Sequence, residues 1–138
     1  KEEEFVIGKG IQLTEGTDVT IVATGHLVWE ALQASEKLEA KGISAEVINI
    51  HTIKPLDEKA ILQSVRKTGR VVTAEEHQMN GGLGDSVAQL LARENPVPME
   101  MIAVNDKLGE RGKPEELCAK YGLGEPNITE AALKVLKR

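Results

Sequence analysis

Aromatic residues are scarce in this 138-residue chain, which contains one phenylalanine, one tryptophan and one tyrosine. Basic residues are also outnumbered, 17 against 22 acidic ones, so the formal net charge at pH 7 is −5. Proteins that bind a nucleic-acid backbone need a basic face, and many of them stack bases on aromatic side chains. We therefore predict that the chain binds no nucleic acid.

Cysteine and long apolar segments are equally rare. The single cysteine, Cys118, excludes an internal disulfide and a zinc site built on several cysteines, and it suits a reducing compartment. No apolar run approaches the roughly 20 residues that cross a bilayer, and the sequence shows no signal peptide. These features predict a cytoplasmic protein that binds no membrane.

The length and the hydrophobic content suit one domain. Hydrophobic residues make up 41% of the chain, which is enough for a core of ordinary size. The sequence contains no repeat and no internal linker, and it begins with Lys1 rather than with methionine. We expect residues 1–138 to form a single domain, and we expect that domain to be a fragment of a longer chain.

Four runs of mainly apolar residues, rich in β-branched types, predict buried strands. They cover residues 18–24, 46–50, 70–75 and 99–104. A weaker segment at residues 5–13 contains Gly8 and Gly10, and it is a candidate for a further strand at an edge of the sheet.

Segments with apolar residues at helical spacing alternate with these strands. They lie at residues 26–41, after Asp57, after Gly84, from Pro114 to Tyr121 and at the C-terminal end. In the last helix, Asn127 and Glu130 resemble a capping box, which predicts the start of that helix. Strands joined by helices favour parallel pairing and right-handed crossovers, so we predict a three-layer α/β/α domain.

Polar residues follow the predicted strands at their carboxyl ends, where open α/β sheets bind ligands. The three histidines of the chain, His26, His51 and His77, all fall at such positions. Together with Glu76 they provide the ligand types of a zinc site, but no pair has the short helical spacing that such sites show. We favour the alternative, in which these imidazoles are exposed loop residues or bond loop backbone.

Gly81, Gly82 and Gly84 surround the start of the third predicted helix. Free amide groups at such a helix start can bind an anion. The segment has neither the Lys-Ser/Thr pair of a P-loop nor the spacing G-x-G-x-x-G, and Asp85 would repel a phosphate. We favour the other interpretation, in which the glycines allow the loop to approach the sheet closely.

Two further features allow more than one interpretation. Three cations within residues 107–113, among them Arg111 and Lys113, could meet a phosphorylated substrate, although a solvated loop is the commoner meaning of such a run. Trp29 stands one position away from the main apolar face of the first predicted helix. It is either a boundary residue of the fold or part of a subunit contact.

Six segments, in order along the chain, resemble the C-terminal domain of transketolases. They are TDVTIVATG at residues 17–25, AEVINI at 45–50, TIKPLD at 52–57, TAEEH at 73–77, GGLG at 81–84 and GKPEEL at 112–117. Each motif alone is loose, but six in order between residue 5 and the last residue are specific. The strings TIKPLD and GKPEEL look closest to the form of transketolase that is split into two shorter subunits.

The resemblance implies a five-stranded, mostly parallel sheet with an antiparallel edge strand. It also implies an enzyme of carbohydrate metabolism, as in the pentose phosphate pathway, that transfers a two-carbon ketol unit between sugar phosphates with thiamine diphosphate and Mg²⁺. In that family the preceding domains hold the cofactor. The resemblance therefore implies that this chain has no catalytic, cofactor-binding or metal-binding residue and is inert alone. Its partners would be the other transketolase domains or an N-terminal subunit, in an enzyme that is a homodimer.

The strand-end loops would then contact neighbouring domains or anions. The residues concerned are His51, Lys54, Glu76, His77, Gly81, Gly82, Gly84, Arg111 and Lys113. Two alternatives within the superfamily are the C-terminal domain of a 2-oxo-acid dehydrogenase β subunit and that of a deoxyxylulose phosphate synthase. A non-catalytic binding or assembly module is an alternative of another class.

Overall fold

Five strands form one sheet in the computed structural model, which describes residues 10–25, 27–51, 56–75, 82–103 and 124–138. The strands are Ile11–Gln12 (β1), Val19–Ala23 (β2), Ala45–Asn49 (β3), Val71–Glu75 (β4) and Met99–Ala103 (β5). Their order across the sheet is β1-β3-β2-β4-β5. Strand β1 runs antiparallel to β3, and the other neighbours are parallel. The predicted mostly parallel sheet with an antiparallel edge strand is confirmed.

Helices cover both faces of this sheet. In the described ranges they are Leu27–Ala40 (α1), Glu58–Thr68 (α2), Leu83–Glu94 (α3) and Glu125–Leu136 (α4). One core lies between the sheet and the pair α1 and α4, and a second core lies between the sheet and the pair α2 and α3. The predicted three-layer α/β/α architecture is therefore confirmed.

Strand β2 shows why the apolar runs predicted this fold. All five of its residues are buried, and neighbours along it contribute to opposite cores. Ile21 packs with α1 and α4, whereas Val22 packs with α2 and α3. A strand that is covered on both faces needs apolar or small side chains at nearly every position, which gives a continuous run instead of an alternating one.

Helix α2 begins and ends with the local signals that the sequence carries. The Asp57 side chain accepts a hydrogen bond from the Ala60 amide at 3.1 Å, and it also accepts one from the Gly10 amide at 2.7 Å. The helix ends at Gly69, which has the left-handed φ of 72° that favours glycine. The predicted start of this helix after Asp57 is confirmed, and the same side chain links the residue before β1 to α2.

The predicted start of the last helix is wrong. Helix α4 begins at Glu125 after Gly124, with a proline in its first turn, so Asn127 and Glu130 do not form a capping box. The Glu125 amide donates at 2.8 Å to the Glu30 carboxylate of α1. The capping carboxylate lies 95 residues earlier in the chain, so the residues beside the helix start do not reveal it. The predictions for residues 5–9 and for the helix from Pro114 to Tyr121 lie outside the described residues.

Candidate functional site

The carboxyl ends of β2, β3 and β4 lie side by side along one edge of the sheet. His51 follows β3 and is exposed, and with Gly25 and Asn49 it helps to line an open hollow of about 470 Å³. His26 and His77 lie outside the described residues. Of the three histidines that the sequence placed at this edge, the structure therefore describes only His51.

Most of the other predicted site residues also fall outside the described ranges. These are Lys54, Glu76, Gly81, Arg111 and Lys113. Gly82 and Gly84 are described, and both stand at the start of α3. Among the described residues, no group of three or more His, Cys, Asp or Glu side chains is arranged to hold a metal ion.

The start of α3 is closed by a carboxylate of the protein itself. The Leu83 amide donates to Glu75 Oε1 at 2.7 Å, and the Gly84 amide donates to Glu75 Oε2 at 2.8 Å. Glu75 is the last residue of β4 and is only 5% exposed. A carboxylate at the positive end of a helix is stabilised by the helix dipole and by charge-assisted hydrogen bonds. These two amides are thus directed at Glu75 and not at an external anion.

Close packing explains why Gly84 stands in this turn. A Cβ atom on Gly84 would lie 2.8 Å from the Met101 sulfur and 3.3 Å from Thr73 Oγ1. The first turn of α3 therefore rests directly on β4 and β5. This geometry favours the packing interpretation of the glycine-rich segment over the anion-binding one.

Sequence reasoning did not identify Glu75 as the residue that closes α3. In a strand, a glutamate near a buried run is usually taken as a solvent-exposed residue, since an isolated buried carboxylate is costly. A signal was present nevertheless. Strand β4 ends in a glutamate, and α3 begins eight residues later with a glycine at its cap and no polar capping side chain. The first amides of α3 therefore need an acceptor, and the buried glutamate needs donors.

A second buried glutamate lies near the amino end of β3. Glu46 Oε1 accepts hydrogen bonds from the Lys67 ammonium at 2.6 Å and from the Gly16 amide at 3.1 Å. Burial by itself would raise the pKa of Glu46, but the hydrogen bonds from Lys67, Gly16 and Ser64 and the charge of Lys67 outweigh it and lower that pKa. Glu46 is therefore held as a carboxylate in the interior.

Three buried hydroxyl groups join β2 to α2 at the same end of the sheet. Thr20 Oγ1 lies 2.7 Å from Ser64 Oγ and 2.7 Å from Thr68 Oγ1. Thr68 Oγ1 in turn donates to the Arg70 carbonyl at 3.0 Å. With Glu46 and Lys67 these groups form a satisfied polar network between the sheet and α2, which is a structural device and not a reactive site.

Trp29 lies outside the core. Its side of α1 faces solvent, and the residue is 62% exposed. The buried side of α1 consists of Leu27, Ala31, Ala34, Ser35 and Leu38. The sequence left two interpretations open, a boundary residue of the fold or part of a subunit contact. The exposure of Trp29 shows that it contributes little to the packing of the fold.

The helices in the described ranges are all short. The longest of them, α1, has 14 residues. None of them is long and apolar enough to cross a membrane.

Comparison with known proteins adds the family. The family model "Transketolase, C-terminal domain" matches residues 8–128. The 6-deoxy-6-sulfo-D-fructose transketolase subunit of a Clostridium species is 49% identical over all of this chain and 43% of its own length. An apulose-4-phosphate transketolase subunit of Phocaeicola vulgatus is 44% identical over 98% of this chain and 43% of its own length.

A further sequence relative and a solved structure also match nearly the whole chain. The 1-deoxy-D-xylulose-5-phosphate synthase of Heliobacterium modesticaldum is 41% identical over 91% of this chain and 20% of its own length. A solved split-gene transketolase, described as an inactive β4 tetramer, superposes with a TM-score of 0.88 at 44% identity, over 99% of this chain and 44% of its own. The chain thus spans less than half the length of these relatives. It belongs to the transketolase C-terminal domain family.

Proposed function

We propose that this chain is the C-terminal domain of a split transketolase, an enzyme that transfers a two-carbon ketol unit between sugar phosphates. The observation that carries the proposal is the likeness to the split-gene transketolase, with a TM-score of 0.88 and 44% identity over 99% of the chain. Two sequence relatives that match at least 98% of the chain are named as transketolase subunits. Their names give a sulfo-sugar and a sugar phosphate, so the sugar itself has to be measured.

In this proposal the other transketolase domains hold thiamine diphosphate and Mg²⁺. The start of α3 does not fit the diphosphate, because the helix-start amides of Leu83 and Gly84 donate to Glu75. The carboxylate of the buried Glu46 likewise accepts hydrogen bonds from within the domain, from Lys67 and Gly16. The contribution of this domain is then a rigid α/β body that packs against the domains where the chemistry takes place.

The partners in this proposal are the remaining transketolase domains or a separate N-terminal subunit, and the complete enzyme is a homodimer. The structural relative of this chain is described as an inactive β4 tetramer, which supports the idea that such a subunit needs a partner before it is active. A cytoplasmic location fits the substrates, since phosphorylated sugars are charged and do not cross membranes unaided.

The proposal is tested by ketol transfer from a ketose phosphate to an aldose phosphate, with thiamine diphosphate and Mg²⁺ present. We expect no transfer by residues 1–138 alone. Activity should appear when the same chain is joined to, or mixed with, the transketolase domains that precede it in its relatives. Measurable transfer by the isolated chain would contradict the proposed division of labour.

We also propose that the strand-end loops at residues 51–55 and 76–82 face the neighbouring domains. The substitution Glu76→Lys in the complete enzyme should then weaken assembly and lower activity. The matched control is Glu94→Lys, which reverses a charge at the far end of α3. Equal assembly and activity of both variants would argue against this placement of the loops.

A deoxyxylulose phosphate synthase is the second candidate, because such an enzyme is 41% identical over 91% of this chain. The chain covers 20% of that relative but 43% of the two transketolase subunits. Formation of 1-deoxy-D-xylulose 5-phosphate by the complete enzyme, without ketol transfer, would favour this second candidate.

A further inference from the structure

The outward side of α1 carries a stripe of side chains that are exposed or, at Leu32, partly buried. Trp29, Leu32, Glu36 and Glu39 follow one another at steps of three, four and three residues, which places them on one side of a helix. The opposite side of α1 is buried against the sheet and α4. The helix is therefore amphipathic, but its outer side has a large aromatic residue among the polar ones.

Trp29 is the single tryptophan of the chain, and it is 62% exposed. Tryptophan has a large apolar surface, and it is among the residues most enriched where binding energy is concentrated in protein interfaces. Leu32 is partly buried beside it. Together they form an apolar ridge along α1.

Two open hollows share Trp29 and Leu32 in their lining. One, of about 470 Å³, is lined by Trp29, Leu32, Gly25, Val28 and residues that follow or end β3. The other, of about 480 Å³, lies between α1 and the edge of the sheet, where Thr14, Ser44 and Ala45 contribute to it. A partner segment that follows the ridge would thus contact both α1 and the edge of the sheet near β1.

The hollow between α1 and the sheet edge is acidic. Glu15, Glu36 and Glu39 line it, and none of the described residues that line it is basic. Arginine is complementary to this combination, because its guanidinium group stacks on tryptophan and pairs with carboxylates while its methylene groups cover apolar surface.

We propose that Trp29, Leu32, Glu15, Glu36 and Glu39, here called the Trp29 surface, bind a basic segment of a second polypeptide. An arginine of that segment stacks on the indole ring of Trp29 and places its guanidinium group near the carboxylates. Apolar neighbours in the segment pack on Leu32 and in the two hollows. This docking function goes beyond ketol transfer, and it does not require that the chain belong to an active enzyme.

Fluorescence of the single tryptophan tests the proposal directly. The probe is a capped hexapeptide of alternating leucine and arginine, and its matched control alternates leucine and glutamate. At low ionic strength, where surface charges are little screened, the arginine peptide should change the Trp29 emission in a saturable way. The glutamate peptide should not. No saturable change with the arginine peptide, or an equal change with both peptides, would overturn the proposal.

Substitutions distinguish binding at the Trp29 surface from nonspecific attraction of a basic peptide to an acidic protein. The double variant Glu36→Gln/Glu39→Gln should weaken binding of the arginine peptide about fivefold, since each exposed carboxylate makes only a modest contribution. The matched control, Asp85→Asn, removes a charge from α3 on the other face of the sheet and should leave the affinity unchanged. Trp29→Ala, followed by calorimetry, should abolish binding. Wild-type affinity in both the double variant and Trp29→Ala would overturn the proposal.

Discussion

Two glutamates are buried at opposite ends of the sheet, and each accepts a hydrogen bond from a glycine amide, yet different groups balance their charges. At the amino end, Glu46 binds Gly16 and the ammonium of Lys67. At the carboxyl end, Glu75 binds the first amides of α3. A buried carboxylate can thus be stabilised either by a cation or by the start of a helix. Only the second arrangement uses up an anion site at the edge where α/β sheets bind ligands.

The surroundings of the two glycines differ as well. A Cβ atom on Gly16 would lie 2.4 Å from the Ala45 carbonyl carbon, which is backbone. A Cβ atom on Gly84 would meet the Met101 sulfur at 2.8 Å, which belongs to a flexible and half-exposed side chain. A side chain at position 16 therefore has less room than one at position 84, and the two substitutions should have unequal costs.

The largest effect is expected for Gly16→Ala. Because the strand backbone cannot move aside, the clash should lower the free energy of unfolding by about 3 kcal/mol or more. Gly84→Ala should cost only about 1 kcal/mol, since Met101 can change its rotamer. Urea unfolding of both variants measures the difference. Equal losses would contradict the difference between the backbone neighbour of Gly16 and the side-chain neighbour of Gly84.

Glu46→Gln is expected to have the next largest effect. It removes the negative charge that pairs with Lys67 and leaves one acceptor oxygen for the Lys67 ammonium and the Gly16 amide. Loss of one member of a buried pair is costly. The Lys67 side chain is 44% exposed, so it can turn toward water. We therefore expect a loss of about 2 kcal/mol at pH 7, less than for a fully buried pair. A variant as stable as the wild type would show that the ion pair contributes nothing net.

The same residue should make stability depend on pH. Because the pKa of Glu46 is lower in the folded chain than its ordinary value of 4.5, its stabilisation is complete above that value and is lost as the pH falls through the lowered pKa. The stability difference between wild type and Glu46→Gln should be constant near neutral pH and shrink below about pH 4.5. Urea unfolding over this range measures it. A difference that grows on acidification would contradict the direction of the shift.

The smallest effect is expected for a buried threonine in β4. Thr73 Oγ1 has no hydrogen-bond partner among the residues that the structure describes, and it faces the start of α3. Thr73→Val should change stability by no more than about 0.5 kcal/mol and could increase it, because a buried hydroxyl without a partner is unfavourable. The matched control, Thr20→Val, breaks two buried hydrogen bonds and should cost about 1 to 2 kcal/mol. Equal losses of stability in the two variants would contradict the difference between a buried hydroxyl without a described partner and one with two partners.

Periodicity predicted the layers of this fold because both faces of the sheet are covered. Ile21 and Val22 enter different cores, so both faces of β2 are buried and its residues are apolar except for Thr20. A local signal also sufficed for the start of α2, since Asp57 stands directly before that helix. The start of α4 carries one local signal, the proline in its first turn, but the carboxylate that caps it belongs to Glu30 on another helix.

The candidate site was less predictable than the fold. The sequence identified the glycines at the start of α3, but it did not show that Glu75 binds their neighbouring amides. It likewise contained no sign that Glu46 and Lys67 form a pair across α2 and β3. Such contacts depend on which side chains the sheet order brings together, and a strand pattern alone does not contain that order.

The cofactor, in this account, is left to the other domains of the enzyme. Calorimetric titration of residues 1–138 with thiamine diphosphate in the presence of Mg²⁺ tests this division of roles. We expect no saturable binding, because the Leu83 and Gly84 amides are directed at Glu75. Binding of one equivalent with a dissociation constant in the micromolar range would contradict it.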